Sequence, residues 1–79
     1  MLTMTKTKLK SLREEFTPKL AQEDMALAAG MRINSYRKAE QGKNVSYTTA
    51  MAVLRGVNNL RSQRGMPELK LEDLELSIV

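Results

Sequence analysis

Proton and nucleophile chemistry has few carriers in this chain. It contains no histidine and no cysteine, so the usual general base, the usual zinc ligand and the thiolate nucleophile are missing together. Its carboxylates include the adjacent pairs Glu14/Glu15, Glu23/Asp24 and Glu72/Asp73. Neighbours in sequence diverge around a helix and do not share a site. No glycine-rich phosphate loop is present. The expectation is therefore no enzyme, no metal, no cofactor and no small-molecule ligand. Recognition chemistry is better represented, in Arg32-Ile33-Asn34-Ser35-Tyr36-Arg37-Lys38. The Asn34 carboxamide suits a bidentate pair with adenine, Ile33 the methyl of thymine, and Ser35 either base edge. Lys38 can reach guanine O6/N7 or a phosphate. Arg32 and Arg37 suit phosphate contacts that position a duplex.

These residues need an element that presents them together. The stretch from Gln22 to Gly42, QEDMALAAGMRINSYRKAEQG, reads as two short helices pivoting on Gly30. The first has its core over Glu23 to Ala29, rich in small alanines that permit close helix approach. It starts at either Pro18, with Thr17 as a possible cap, or Gln22. Gly30 suits the left-handed position that ends a helix. The second runs from Arg32 or Ile33 to about Glu40, with Tyr36 and Ala39 on its inner side and Gly42 as terminator. A helix of about two turns does not persist alone in water, so Tyr36, Ala39 and Met31 must pack inward. Helix, short glycine turn, helix is the pattern of a helix-turn-helix unit, which offers its second helix to the major groove. Gln22, near a helix start, faces free N–H groups that favour an anion, and its amide can donate to a phosphate.

The flanking segments read as support. Met1 to Met4 is expected to fray. A first helix is expected from near Thr5 to about Phe16, with Leu9, Leu12 and Phe16 on one face and Thr17-Pro18 ending it. A fourth helix follows the cap Ser46 and extends to Ser62 or Arg64. Its apolar stripe is Ala50, Met51, Leu54, Val57 and Leu60, with Arg55, Asn58, Arg61 and Arg64 on the other faces. Gly56 is tolerated inside it at a cost of roughly 1 kcal/mol. After Gly65-Met66-Pro67 come a short extended piece at Leu69-Lys70-Leu71 and a helix-like Leu71-Glu72-Asp73-Leu74. The apolar tail either folds back over the first and fourth helices or pairs with another subunit. The expected fold is all-α, a compact bundle of about five helices in a single domain over residues 1–79.

Charge narrows the partner. The formal net charge is +4. Residues 1–43 hold nine Lys/Arg against five acids, whereas residues 44–79 hold four of each. The excess lies in the half that contains the helix pair, which points to a polyanion. No run approaches the roughly 18 apolar residues of a membrane span, and the first residues lack the apolar segment of a signal peptide. A cytoplasmic location and no membrane partner are expected.

The Gln22–Gly42 segment resembles the helix-turn-helix domain of lambda-repressor-like regulators of the Xre/Cro type. Gln22-Glu23-Asp24-Met25-Ala26 stands for the family's Gln, Glu-x-Leu-Ala, with methionine where leucine is commoner. Gly30 stands ten residues before Glu40, and Glu40-Gln41-Gly42-Lys43 matches the closing Glu-x-Gly-Lys. Leu9 and Arg13 resemble the Leu-x-x-x-Arg of the first helix. The likeness covers about 38 residues, Lys6 to Lys43. Ala21 replaces the usual threonine, and residues 59–79 look like an atypical C-terminal extension. The resemblance implies that Ile33 and Asn34 read bases, that Lys38 is a third such position, and that Gln22, Lys43 and Asn44 meet phosphates. It also implies a structural ion pair between Arg13 and Glu40. Double-stranded DNA is then the partner, bound by a homodimer through the C-terminal region. The implied role is a small transcriptional regulator, a repressor by analogy alone. The alternative is a protein-interaction module or accessory factor on the same helical fold.

Overall fold

The computed structural model describes residues 7–79; the expected frayed end at Met1 to Met4, the helix start at Thr5 and the residue Lys6 lie outside them. The order is α1 (Lys8–Glu14), α2 (Gln22–Ala29), α3 (Ile33–Glu40), α4 (Tyr47–Gln63) and a single 3-10 turn, Leu71–Leu74. The fold is all-α, a compact bundle of four helices and that short turn rather than about five helices. The fifth element stays a single turn because Lys70 before it is extended and Glu75 after it takes a left-handed φ of 51°.

Helices α1 and α4 start at a side-chain acceptor for an orphan N–H group, whereas Ala21 and Arg32, the residues before α2 and α3, supply none. The Thr7 hydroxyl accepts from the Lys10 amide at 3.2 Å. Ser46 does the same for Thr49 at 3.1 Å, as its cap position predicts. At α2 the later of the two candidate starts is taken. Ala21 is the extended cap residue, and its N–H donates to the Asp24 carboxylate at 2.9 Å. Thr17 therefore does not cap this helix. Gly30 ends α2 with φ 68°. The Met31 amide donates back to Ala26 O at 3.0 Å and the Gly30 amide to Leu27 O at 3.1 Å, the paired bonds of a Schellman ending. Gly42 ends α3 in the same way, with Lys43 N–H on Lys38 O at 3.0 Å. Helix α1 stops at Glu14, and Phe16, just beyond it, is buried all the same.

The core sits where α2 packs against both α3 and α4, α1 packs on α3, and the 3-10 turn closes on α4 and α1. Leu9, Leu12, Phe16, Met25, Tyr36 and Leu74 are its large buried members. The stripe that α4 buries differs from the expected one. Ala50, Val53, Gly56, Val57 and Arg61 are buried, while Met51, Leu54 and Leu60 are only partly so. The cause is Gly56. A Cβ there would stand 2.7 Å from Ala29 N and 2.8 Å from Ala29 Cα. The backbone of α2 lies directly on α4 at this point, so Gly56 is a requirement of the crossing rather than a tolerated defect.

The tail folds back. Leu74 is fully buried, and Leu69, Leu71 and Leu76 pack against the core. Val45 N–H donates to Ser77 O at 2.8 Å and Val79 N–H to Val45 O at 3.0 Å, an isolated parallel bridge between Val45 and Ile78. Asn58 holds the start of this segment from α4. Its amide donates to Leu69 O at 2.9 Å and accepts from Leu69 N–H at 2.8 Å. Among the described residues no helix is long and apolar enough to cross a membrane.

Candidate functional site

The two sides of α3 have opposite characters. Tyr36, Ala39 and Glu40 are buried, at the i, i+3 and i+4 spacing of one helix face. Asn34, Arg37 and Lys38 repeat that spacing and are exposed, together with Arg32 and Ser35. Ile33 is half-buried and packs against the core, so only part of its side chain is offered outward. Lys43 and Asn44 are exposed in the loop after α3. The expected contact residues Arg32, Asn34, Ser35, Arg37, Lys38 and Lys43 thus share the open side of α3 and the loop that follows.

Behind them lies a charged network. Arg13 reaches from α1 to Glu40 at the end of α3 with two parallel bonds, Nε to Oε2 and Nη2 to Oε1, each 2.9 Å. Its Nη1 donates to Leu20 O at 2.9 Å. The Thr7 hydroxyl donates to Glu40 O at 2.6 Å, so α1 grips the end of α3 by backbone and side chain. This is the Arg13–Glu40 pair that the sequence resemblance implies. Burial alone would raise the Glu40 pKa. The hydrogen bonds from Arg13 and Gln22, the nearby Tyr36 hydroxyl and the Arg13 charge outweigh it and hold the carboxyl below its ordinary value. Arg13 is shifted up by its hydrogen bonds to Glu40. The Tyr36 hydroxyl is buried with no hydrogen bond of ordinary geometry. Burial, followed by the Glu40 carboxylate, raises its pKa.

Gln22 belongs to this network. Its Nε2 donates to Glu40 Oε1 at 3.0 Å, and its Oε1 accepts from Arg37 Nε at 3.2 Å. One amide N–H of Gln22 is left over for an outside acceptor. Asn44 is likewise engaged, with its Oδ1 accepting from the Ser77 hydroxyl, and the residue is exposed.

Several structural residues were not legible beforehand. Asn58 and Arg61 are not surface residues of α4. Arg61 is 6 % exposed; its Nε donates to Pro67 O at 2.7 Å and its Nη1 lies 3.9 Å from Glu15 Oε1. The signal was present in its spacing, four residues beyond Val57 on the buried stripe. Arg64 caps the outer end, with Cζ 5.3 Å from the centre of the Phe16 ring. Among the described residues no group of three acidic, histidine or cysteine side chains forms a metal cage. Comparison with protein-family models, with curated proteins and with solved structures finds no match.

Proposed function

We propose that α2, the Gly30 turn and α3 form a helix-turn-helix of the lambda-repressor-like type, and that the chain binds double-stranded DNA by placing α3 in the major groove. It acts in this reading as a small, sequence-specific transcriptional regulator, a repressor by analogy. One observation supports it above the rest. The exposed surface from Arg32 to Ser46 carries Arg32, Arg37, Lys38 and Lys43 and no exposed carboxylate, because the one acid of the stretch, Glu40, is buried and neutralised by Arg13. An uncompensated basic surface with an exposed Asn and Ser between the charges matches base edges flanked by phosphates.

Asn34, Ser35 and the exposed part of Ile33 are assigned to base edges, with Lys38 one turn on. Arg32, Arg37, Lys43 and the Asn44 amide group are assigned to the backbone. So few base contacts call for two copies on a two-fold site, with half-sites about one helical turn apart. With Leu69, Leu71, Leu74 and Leu76 turned toward the chain's own core, Ile78 and Val79 remain as exposed apolar residues of the C-terminal region for such a dimer. The test is a protection footprint on genomic fragments with the parent chain and Asn34→Ala. A discrete two-fold footprint that the variant loses is the expected result. Diffuse protection that the substitution leaves unchanged would remove base reading from α3 and favour a protein-interaction module.

A further inference from the structure

Gln22 stands between a buried ion pair and an exposed cation, and its amide is polarised by that position. A carboxylate can only accept hydrogen bonds, so the side of the amide that meets Glu40 Oε1 at 3.0 Å must be the NH₂ group. The carbonyl oxygen is thereby turned the other way, where it accepts from Arg37 Nε at 3.2 Å. Arg13 fixes Glu40 with two further bonds, so the carboxylate itself cannot swing away. The result is a chain of bonds that links Arg13, Glu40, Gln22 and Arg37 from the core to the open side of α3, with Arg37 donating to Gln22 and both Gln22 and Arg13 donating to Glu40. Its last member uses only its Nε–H inward. Among the described residues the four N–H groups on the two terminal nitrogens of Arg37 have no partner, and they form the planar fork that fits a phosphate.

We propose that Gln22 is a positioning residue for Arg37, holding the guanidinium fork in its binding orientation before DNA arrives; this rests on the DNA-binding reading above. An exposed arginine samples many rotamers, and fixing it beforehand removes an ordering penalty from binding. Gln22 therefore contributes to affinity through Arg37 and not by its own contact with the backbone. The buried carboxylate also enters DNA affinity, because it holds the NH₂ end of the amide inward and leaves the carbonyl oxygen for Arg37.

The experiment uses the full chain, its Gln22→Ala and Gln22→Met variants, Arg37→Ala, and the Gln22→Ala/Arg37→Ala double variant. Binding to a mixed-sequence duplex of about 20 base pairs is measured at low salt, and the mobility of the Arg37 side chain is followed by relaxation of its 15Nε signal without DNA. Both Gln22 variants should free the Arg37 Nε signal, and each should weaken binding about three- to tenfold, the range set by ordering one long side chain. Arg37→Ala should weaken binding at least as much, and the double variant no further than Arg37→Ala alone. Multiplying effects in the double variant would overturn the proposal, since Gln22 would then act on DNA by itself. An Arg37 Nε signal that stays ordered in both Gln22 variants would overturn it also, whether or not the chain binds DNA. Absence of duplex binding by the parent chain would sink the DNA reading separately.

Discussion

Arg13 and Glu40 are the pair whose loss reaches furthest at the scale of single residues. Glu40 is 5 % exposed, and replacing Arg13 by alanine leaves its carboxylate with the Gln22 amide and the nearby Tyr36 hydroxyl in place of a bidentate partner. An uncompensated buried charge of this kind costs about 3–5 kcal/mol, so Arg13→Ala should lower the urea unfolding free energy by about 3 kcal/mol. The pair also sets an acid dependence. The Glu40 pKa is lowered in the folded chain, so the folded state binds fewer protons than the unfolded one across that window. The stabilisation is complete above the ordinary carboxylate value and is lost as the pH falls through the lower, folded value. Urea midpoints recorded from neutral to strongly acid pH should fall in that window, and Glu40→Gln should flatten this part of the profile while being less stable at neutral pH. A profile unchanged by Glu40→Gln would show that other carboxylates carry the acid dependence. This ion pair was legible in the sequence as a motif, Leu9 and Arg13 set against Glu40-Gln41-Gly42. The bond from Gln22 to Arg37 was not, because it depends on which end of an amide a buried carboxylate selects.

Two glycines separate backbone conformation from packing at the scale of elements. Gly30 has φ 68°, and a Cβ added to it would meet nothing within 4 Å. Its replacement by alanine brings only the strain of a left-handed L-residue, about 1–2 kcal/mol. Gly56 has ordinary helical backbone, where alanine would normally gain about 1 kcal/mol of helix propensity. Here the new Cβ would fall 2.7 Å from Ala29 N and 2.9 Å from Ala28 C, and neither is a side chain that can turn away. Relieving that clash means moving α2 off α4, and overpacking of this kind costs about 1–3 kcal/mol, occasionally more. Thermal unfolding should therefore show Gly56→Ala net destabilised, by about 2 kcal/mol, at a site where propensity alone predicts a gain. A neutral or higher midpoint would mean that the α2–α4 crossing adjusts freely. The contrast also explains what the sequence could convey. Gly30 sits at a helix end, so its role follows from local pattern. Gly56 answers to a partner 27 positions away, between Ala28 and Ala29, and no local rule distinguishes it from a weak helix residue. The same long-range contact turns α4 so that Val53 and Arg61 go inward and Met51 and Leu54 only half so, against the stripe expected from apolar spacing.

Charge and chain path combine at the scale of the whole molecule. The C-terminal segment, with Glu68, Glu72, Asp73 and Glu75, runs back to Val45 through the bonds of Ser77 and Val79, and Leu74 seals the core between α1 and α4. Its fold-back was one of two outcomes open in the sequence, since apolar residues alone do not say whether they cover their own core or another copy's. The α3 surface keeps Arg32, Arg37, Lys38 and Lys43 exposed, and the DNA reading turns these cations into a number. If each neutralises one phosphate on a duplex, the logarithm of affinity should fall against the logarithm of salt with a slope of about −3.6 per bound copy, at about 0.9 per phosphate. Raising monovalent salt from about 50 to about 200 mM should then weaken binding about a hundredfold. Arg37→Ala should make the slope shallower by about one, whereas Asn34→Ala should lower affinity for a specific site and leave the slope in place, because a base contact releases no counterion. Titrations at several salt concentrations by fluorescence anisotropy would read both quantities. A slope shallower than about −2 for the parent chain would mean that most of these cations do not meet phosphates, and the basic side of α3 would need another partner. A slope near twice the expected value would mean that two copies bind as one unit, which ties the symmetry of the site to the charge of a single helix.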